Sequence, residues 1–199
     1  MKKKTPKILL INNYDSFSWN VFRLLENAGA KVKIHYPNEI EKQDIEEFDG
    51  VVISPGPGLP NETPNLLPLV QYVSNCKPLL GVCLGHQAIA MCFGGTLFQM
   101  NSILHGDKKS ITFVNRNQTL FHSLPHNIEV GLYHSWAINP DTLPACFDIT
   151  AISDDNIVMA IQHKALPVFG VQFHPESYIT SCGKQIIAEF LQICIESNT

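Results

Sequence analysis

Three short stretches of this 199-residue chain are apolar at every position or nearly so: "ILLI" (8–11), "VVI" (51–53) and "LLGV" (79–82). A strand with one face in water alternates apolar and polar residues. Uniformly apolar short runs are buried on both faces, as in a parallel sheet covered on two sides. The segments between and after them have other rhythms. In "SFSWNVFRLLENAG" (16–29), Phe17, Val21, Leu24 and Leu25 share a helical face, with Ser16 placed to cap its start and Gly29 to close its end. "KVKIHY" (31–36) alternates like a strand, and "EIEKQDIEEF" (39–48) reads as a short acidic helix. "PNLLPLVQYVSN" (64–75) reads as a helix with Pro64 in its first turn, and "LGHQAIAMCFGG" (84–95) as a helix stopped by Gly94 and Gly95.

The expected fold class is therefore α/β: a doubly wound, mostly parallel sheet with helices on both faces. From "GDKKSITFV" (106–114) to "GVQFHPES" (170–177), short β runs separated by Asn, Asp, Pro and His loops add a small antiparallel β section. The tail "GKQIIAEFLQICIES" (183–197) returns to helical spacing, with Ile186, Ile187, Phe190, Leu191 and Cys194 inward. No internal repeat, low-complexity tract or linker divides the chain, so residues 1–199 are expected to form one domain.

Composition narrows the classes of function. The chain is 45% apolar and 16% charged with a net charge of -4, which gives no reason to expect a nucleic-acid or membrane partner. The start is basic, but its apolar run ends at Ile11, too short for an export signal. A reducing cytoplasm is the expected compartment. The six cysteines (76, 83, 92, 146, 182 and 194) include no Cys-x-x-Cys pair, and the histidine spacing suggests no metal site. His35, His122, His126 and His163 read as surface or turn residues, His134 as a residue that positions its loop, and His86 as a structural hydrogen-bonding residue.

In open α/β sheets, ligands bind beyond the carboxyl ends of the strands. Three loops fall there: "NNYDSF" (12–17), "SPGPGLP" (54–60) and "CLGHQ" (83–87). The third follows strand "PLLGV" and opens a helix. Gly81-Val82-Cys83-Leu84-Gly85 has the G-x-nucleophile-x-G form of a nucleophile elbow, in which small residues let strand and helix approach closely around an apical side chain. The helix N-terminus behind such a thiol favours the thiolate. On this pattern alone, Cys83 is either such a nucleophile or a buried core thiol.

A thiol nucleophile is served by a base, and the base by an orienting group. "GVQFHPES" delivers His174 to a loop stiffened by Pro175, and Glu176 follows two residues later. In extended geometry, residues two apart point the same way. A lone histidine there is equally a solvated or core residue; the Pro-Glu-Ser behind it and the elbow elsewhere favour the base. In "SPGPGLP", Gly56 and Gly58 leave backbone N–H groups unshielded. Together with the Leu84 N–H they form a potential oxyanion hole, although Gly-Pro-Gly by itself is also a plain turn.

Taken together, "SPGPGLP", "LLGVCLGHQAIA" and "GVQFHPES" resemble the three signature blocks of class I glutamine amidotransferases, in the family's order and across essentially the whole chain. "NNYDSFSWN" (12–20), "HGDKKSI" (105–111) and "YHSWAI" (133–138) are similar to one branch, the glutaminase subunit (component II) of anthranilate synthase or aminodeoxychorismate synthase. The resemblance implies Cys83 as nucleophile, His174 as base and acid, and Glu176 as the orienting carboxylate. It implies glutamine contacts from Gly56, Pro57, Gly58, Leu84, Gln87, Ser135 and Trp136. It also implies hydrolysis of L-glutamine, no cofactor or metal, and ammonia passed to a chorismate-using synthase partner. Three positions depart from many relatives: Asn12 in place of Asp, Leu132 in place of Arg, and Asp107 within His105-Gly106-Asp107-Lys108 where relatives have His-Gly-Lys. Competing readings are a glutaminase for a GMP or carbamoyl-phosphate type synthase, a Cys hydrolase of another kind, and a silent regulatory subunit.

Overall fold

The apolar runs do pack side by side. In the computed structural model, which describes residues 4–114 and 120–197, one nine-stranded sheet carries the chain. The basic start at residues 1–3 lies outside the described residues. The strands are β1 (Lys7–Ile11), β2 (Lys31–His35), β3 (Gly50–Ile53), β4 (Leu79–Val82), β5 (Leu97–Gln99), β6 (Asp107–Phe113), β7 (Asn127–Leu132), β8 (Trp136–Ile138), β9 (Phe147–Ser153), β10 (Val158–His163) and β11 (Val168–Val171). The sheet order is β2-β1-β3-β4-β11-β10-β9-β6-β7, and β5 pairs with β8 in a separate ribbon. From β2 to β11 all neighbours are parallel; from β11 to β7 all are antiparallel. The antiparallel section is thus mostly an extension of the same sheet, grown from the β11 side.

The helices are α1 (Ser18–Asn27), α2 (Lys42–Ile45), α3 (Leu66–Ser74), α4 (Leu84–Cys92) and α5 (Gly183–Glu196). The period of two within each buried strand divides the core into two clusters. Ile8, Leu10, Val52, Leu80 and Val82 face α1 and α5, joining Val21, Leu25, Ile186, Ile187 and Phe190. Leu9, Ile11, Val51, Ile53 and Leu79 face the other way, toward Leu66, Val70 and Val73 of α3 and Ala88 and Ile89 of α4. This is the helix-covered sheet that the apolar runs require. All five inward residues expected on the tail helix are buried.

Three local expectations change. Ser16 does not cap α1: Phe17 occupies that position, and its N–H is held by the Asp15 carboxylate at 2.7 Å. Pro64 precedes α3, because Asn65 turns the chain through a left-handed conformation (φ 62°) before the helix begins. His163 is a buried strand residue flanked by the rings of Phe93 and Phe147, and its Nδ1 accepts from the Ala165 and Leu166 N–H groups.

The parallel strands end at one edge, so the segments after β1, β3, β4 and β11 share it. Loops 12–17 and 54–58 are tied there: the Asn13 N–H donates to Ser54 Oγ (3.0 Å) and Asn13 Nδ2 to the Ser54 carbonyl (2.8 Å). A close approach is built into the β4–α4 turn. A Cβ on Gly81 would lie 2.4 Å from the backbone C and O of Gly85, and one on Gly85 would lie 2.5 Å from the Ile53 carbonyl. Gly81→Ala is therefore expected to destabilise the protein by about 1–3 kcal/mol, seen as a lowered thermal midpoint; an unchanged midpoint would contradict this close packing.

Candidate active site

Cys83 sits between β4 and α4 with φ 51° and ψ -100°. A non-glycine residue in that region carries roughly 1–3 kcal/mol of strain and persists only where its surroundings enforce it. Here they do. The Cys83 N–H donates to the Val171 carbonyl at 2.8 Å, and Gly81 and Gly85 let the turn close. The turn places the thiol, 6% exposed, at the N-terminus of α4. The elbow inferred from G-x-C-x-G is present in the backbone.

His174 reaches the same place from the end of β11. Its N–H donates to the Gly131 carbonyl (3.1 Å) and its carbonyl accepts from Thr180 Oγ1 (2.8 Å). The chain then turns, with the Ser177 N–H on the His174 carbonyl, so Glu176 meets the ring through a turn rather than an extended segment. His174 Nδ1 and Glu176 Oε1 are 2.6 Å apart, with both side chains buried. The rings of Tyr133 and Phe17 pack against the imidazole at centroid distances of 4.8 and 5.4 Å. They exclude water from the pair and strengthen its electrostatics. His174 Nε2 makes no conventional hydrogen bond and is the nitrogen left for the Cys83 sulfur. Burial alone would lower the proton affinity of His174; Cys83 and then Glu176 raise it, to a pKa of about 10. The ring is thus held as imidazolium beside the thiol.

A cavity of about 150 Å³ opens onto Cys83, lined by Gly56, Pro57, Gly58, Leu84, Gln87, Tyr133, His134, Ser135 and Trp136. The seven residues expected to contact a ligand therefore share one cavity. Gly56 is needed for the fit, since a Cβ there would lie 2.4 Å from Leu84 Cδ2. Gln87 Nε2 donates to the Trp136 carbonyl (2.8 Å) and to Gln172 Oε1 (3.1 Å), so its nitrogen is committed to the protein. Gln172 Nε2 in turn lies 3.5 Å from Cys83 Sγ. His134 Nδ1 lies 3.0 Å from the Trp136 carbonyl, within its own loop; burial holds this histidine neutral, with its pKa lowered to about 4. His86 is fully buried beside Gly170, and burial lowers it to about 3. Gln172, Tyr133 and Phe17 join the site; they lie within segments 170–177, 133–138 and 12–20, but sequence reasoning assigns none of them a role there. Gln172 alone carries a signal there, as a polar residue closing the apolar strand "VFGVQF".

Residues 9–194 match the family described as Glutamine amidotransferase class-I. The chain belongs to the class-I glutamine amidotransferase family. Aminodeoxychorismate synthase component 2 of Escherichia coli (strain K12) is 41% identical over 186 residues, covering 92% of this chain and 98% of that one. Aminodeoxychorismate/anthranilate synthase component 2 of Bacillus subtilis (strain 168) is 39% identical over 187 residues, covering 93% and 95%. The crystal structure of a candidate GMP synthase subunit from Thermoplasma acidophilum superposes with a TM-score of 0.88 at 28% identity, over 98% of this chain and 97% of that one. Membership in this family implies glutaminase activity. Among the described residues, no helix is long and apolar enough to cross a membrane.

The three departures have local accommodations. Asn12 Oδ1 accepts from the Asp15 N–H (3.2 Å) and Ser18 Oγ (2.8 Å), roles an aspartate carboxylate would also fill. Leu132 is fully buried at the end of β7. The Asp107 carboxylate accepts from the His105 N–H at 2.7 Å, so the extra residue folds back on its own turn.

The His174 value gives a prediction with a definite sign. A pKa raised above the ordinary 6.5 means that ring protonation stabilises the fold fully below about pH 6.5, and this contribution fades as pH rises toward 10. In an NMR titration, the His174 ring signal is expected to hold its protonated shift through neutral pH, and Glu176→Gln to move its midpoint down. A parent midpoint near 6.5 would contradict the charged pair.

Proposed function

We propose that this glutamine amidotransferase is component II of a synthase that makes anthranilate, aminodeoxychorismate or both, in tryptophan or folate biosynthesis. It hydrolyses L-glutamine, and its ammonia passes to a chorismate-using partner subunit. The observation that carries the reading is the buried His174–Glu176 pair (2.6 Å) beside a strained Cys83 that opens on a small polar-walled cavity. Relatives about two-fifths identical over nearly their whole length are component 2 subunits, which favours this branch over the GMP or carbamoyl-phosphate type. The unbroken sheet from β2 to β7 supports treating residues 1–199 as one domain, and a reducing cytoplasm is the compartment proposed for it.

The chemistry follows from the groups present. The Cys83 thiolate attacks the side-chain amide carbon of glutamine, and the carbonyl electrons move onto oxygen. The N–H groups of Gly56 and Leu84 receive that oxyanion. Imidazolium His174 gives its proton to the amide nitrogen, the C–N bond breaks, and ammonia leaves. Water then attacks the γ-glutamyl thioester with neutral His174 as base, releasing glutamate and restoring the thiolate. Glu176 keeps the ring oriented and stabilises its charge through both halves. The walls formed by Pro57, Gly58, Gln87, Ser135 and Trp136 hold the amino acid in place. Free ammonia is soon protonated in water and then ceases to be a nucleophile, so delivery to a docked synthase is chemically favoured. Tyr14, Ile103 and Tyr178 expose large apolar surface on segments flanking the site, Tyr178 to 92%, and suit a docking face.

Cys83→Ala is expected to abolish glutamine-dependent product in the complex, by at least about a thousandfold, while leaving synthesis from ammonium salts intact. The assay measures glutamate and aminated chorismate product from each nitrogen source. Glutamine-dependent synthesis surviving in Cys83→Ala would defeat the reading.

A further inference from the structure

The chain makes an unbroken run of amide hydrogen bonds from the cavity wall to the thiol. Its geometry begins in the sheet. β4 and β11 are parallel with Gly81 opposite Gly170 and Val82 opposite Val171. The next positions on the two chains are Cys83 and Gln172, and the Gln172 N–H is anchored to the Met159 carbonyl at 2.9 Å. Gln172 is fully buried, so its amide has only protein partners to satisfy it.

The direction of the run is fixed by its far end. The Trp136 carbonyl can only accept, so the end of the Gln87 amide facing it is the NH₂ group. The second N–H of that group points to Gln172, 3.1 Å away, which must present its oxygen. The Gln172 NH₂ is then the end turned to Cys83 Sγ, at 3.5 Å, a donor distance suited to the larger sulfur atom. A flipped Gln172 amide would put oxygen against sulfur and nitrogen against nitrogen.

Resting on the reading of Cys83 as the nucleophile, we infer that Gln172 is a positioning residue that donates a hydrogen bond to the Cys83 thiolate, and that Gln87 and the Trp136 carbonyl hold it in the donating orientation. The thiolate then lies between two donors, the His174 imidazolium and the Gln172 amide. The ionic partner supplies charge. The amide supplies direction, because a buried, doubly bonded glutamine has little rotational freedom. The run also links the sulfur to the backbone of residue 136 in the cavity wall. Displacing that wall would free the Gln87 amide, and through it the Gln172 amide, to rotate. The state of the nucleophile is thus coupled to the shape of the glutamine cavity by a path that involves neither His174 nor Glu176.

The test uses the full chain without glutamine. Cys83 alkylation by iodoacetamide is followed against pH by peptide-resolved mass spectrometry, because the exposed Cys76 reacts as well. Gln172→Met keeps the length and removes the donor. Gln87→Glu removes both donors to Trp136 and Gln172. In each variant the Cys83 alkylation profile is expected to move about one unit toward higher pH, the size typical of losing or reorienting one hydrogen bond to a charged acceptor. In complex with the synthase, Gln172→Met is expected to lower kcat for glutamine about tenfold with KM within about twofold. A merely space-filling Gln172 predicts neither change, since methionine fills the same volume. Either variant, folded by circular dichroism and alkylated with the parent profile, would overturn the inference; if Gln172→Met does not fold, Gln87→Glu decides alone. Because the alkylation is read without glutamine turnover, its outcome is separate from whether the parent protein proves to be a glutaminase.

Discussion

The parallel pairing of β4 with β11 is the contact on which the site depends. These strands come from distant parts of the chain, and each ends in a residue pattern that is unremarkable alone. Aligned as neighbours, with the Cys83 N–H bonded to the Val171 carbonyl, they set the thiol beside the segment that carries Gln172, His174 and Glu176. Burial of both strands on both faces makes that register costly to change: a slip would move apolar side chains and leave backbone groups unpaired in the core. The site inherits its precision from a sheet whose other business is only to bury Leu, Ile and Val.

Two kinds of stored cost converge at this edge. One is conformational, the positive φ of Cys83, made tolerable by the two glycines that flank it. The other is electrostatic, the removal from water of an imidazole and a carboxylate that compensate each other at 2.6 Å. A buried pair of this kind is a poor way to add stability, because desolvation offsets much of the attraction. In the proposed mechanism it keeps a proton ready beside the sulfur nucleophile, where ammonia needs one in order to leave. Phe17, after β1, and Tyr133, after β7, enclose that pair and so bring the N-terminal loop against it.

Much of this is legible in the sequence, for reasons that differ by element. The parallel strands announce themselves because burial on both faces leaves no polar position. The tail helix does so because its apolar residues recur at helical spacing. The elbow is visible because only small residues permit its close approach. Other features depend on partners that no local pattern names. Ser16 looks like a cap, but the Asp15 carboxylate reaches the Phe17 N–H first. Asn65 tolerates the left-handed turn that shifts the start of α3 beyond Pro64. His163 looks like a turn residue, and only the packing of Phe93 and Phe147 buries it. That the hairpins continue the main sheet follows from β10 pairing with β11, a choice of edge the sequence does not encode locally. Gln172 is easily passed over although it breaks an apolar run just as Cys83 does. A polar residue at the end of a buried strand marks a partner across the sheet, and here that partner is the thiol itself.

In the proposed function, the strand pairing, the elbow and the His174–Glu176 pair together aim the Cys83 sulfur into the cavity that receives glutamine. A diazoketone analogue of glutamine tests this directly, since it combines the amino-acid recognition elements with a diazo carbon in place of the amide nitrogen, from which a protonated neighbour and the thiol expel dinitrogen to leave a C–S bond. Peptide-resolved mass spectrometry of the treated protein should find one adduct, on Cys83, suppressed by excess L-glutamine and absent in His174→Ala. Labelling spread over Cys76, Cys92 and Cys146, or labelling of Cys83 that glutamine does not suppress, would contradict the account.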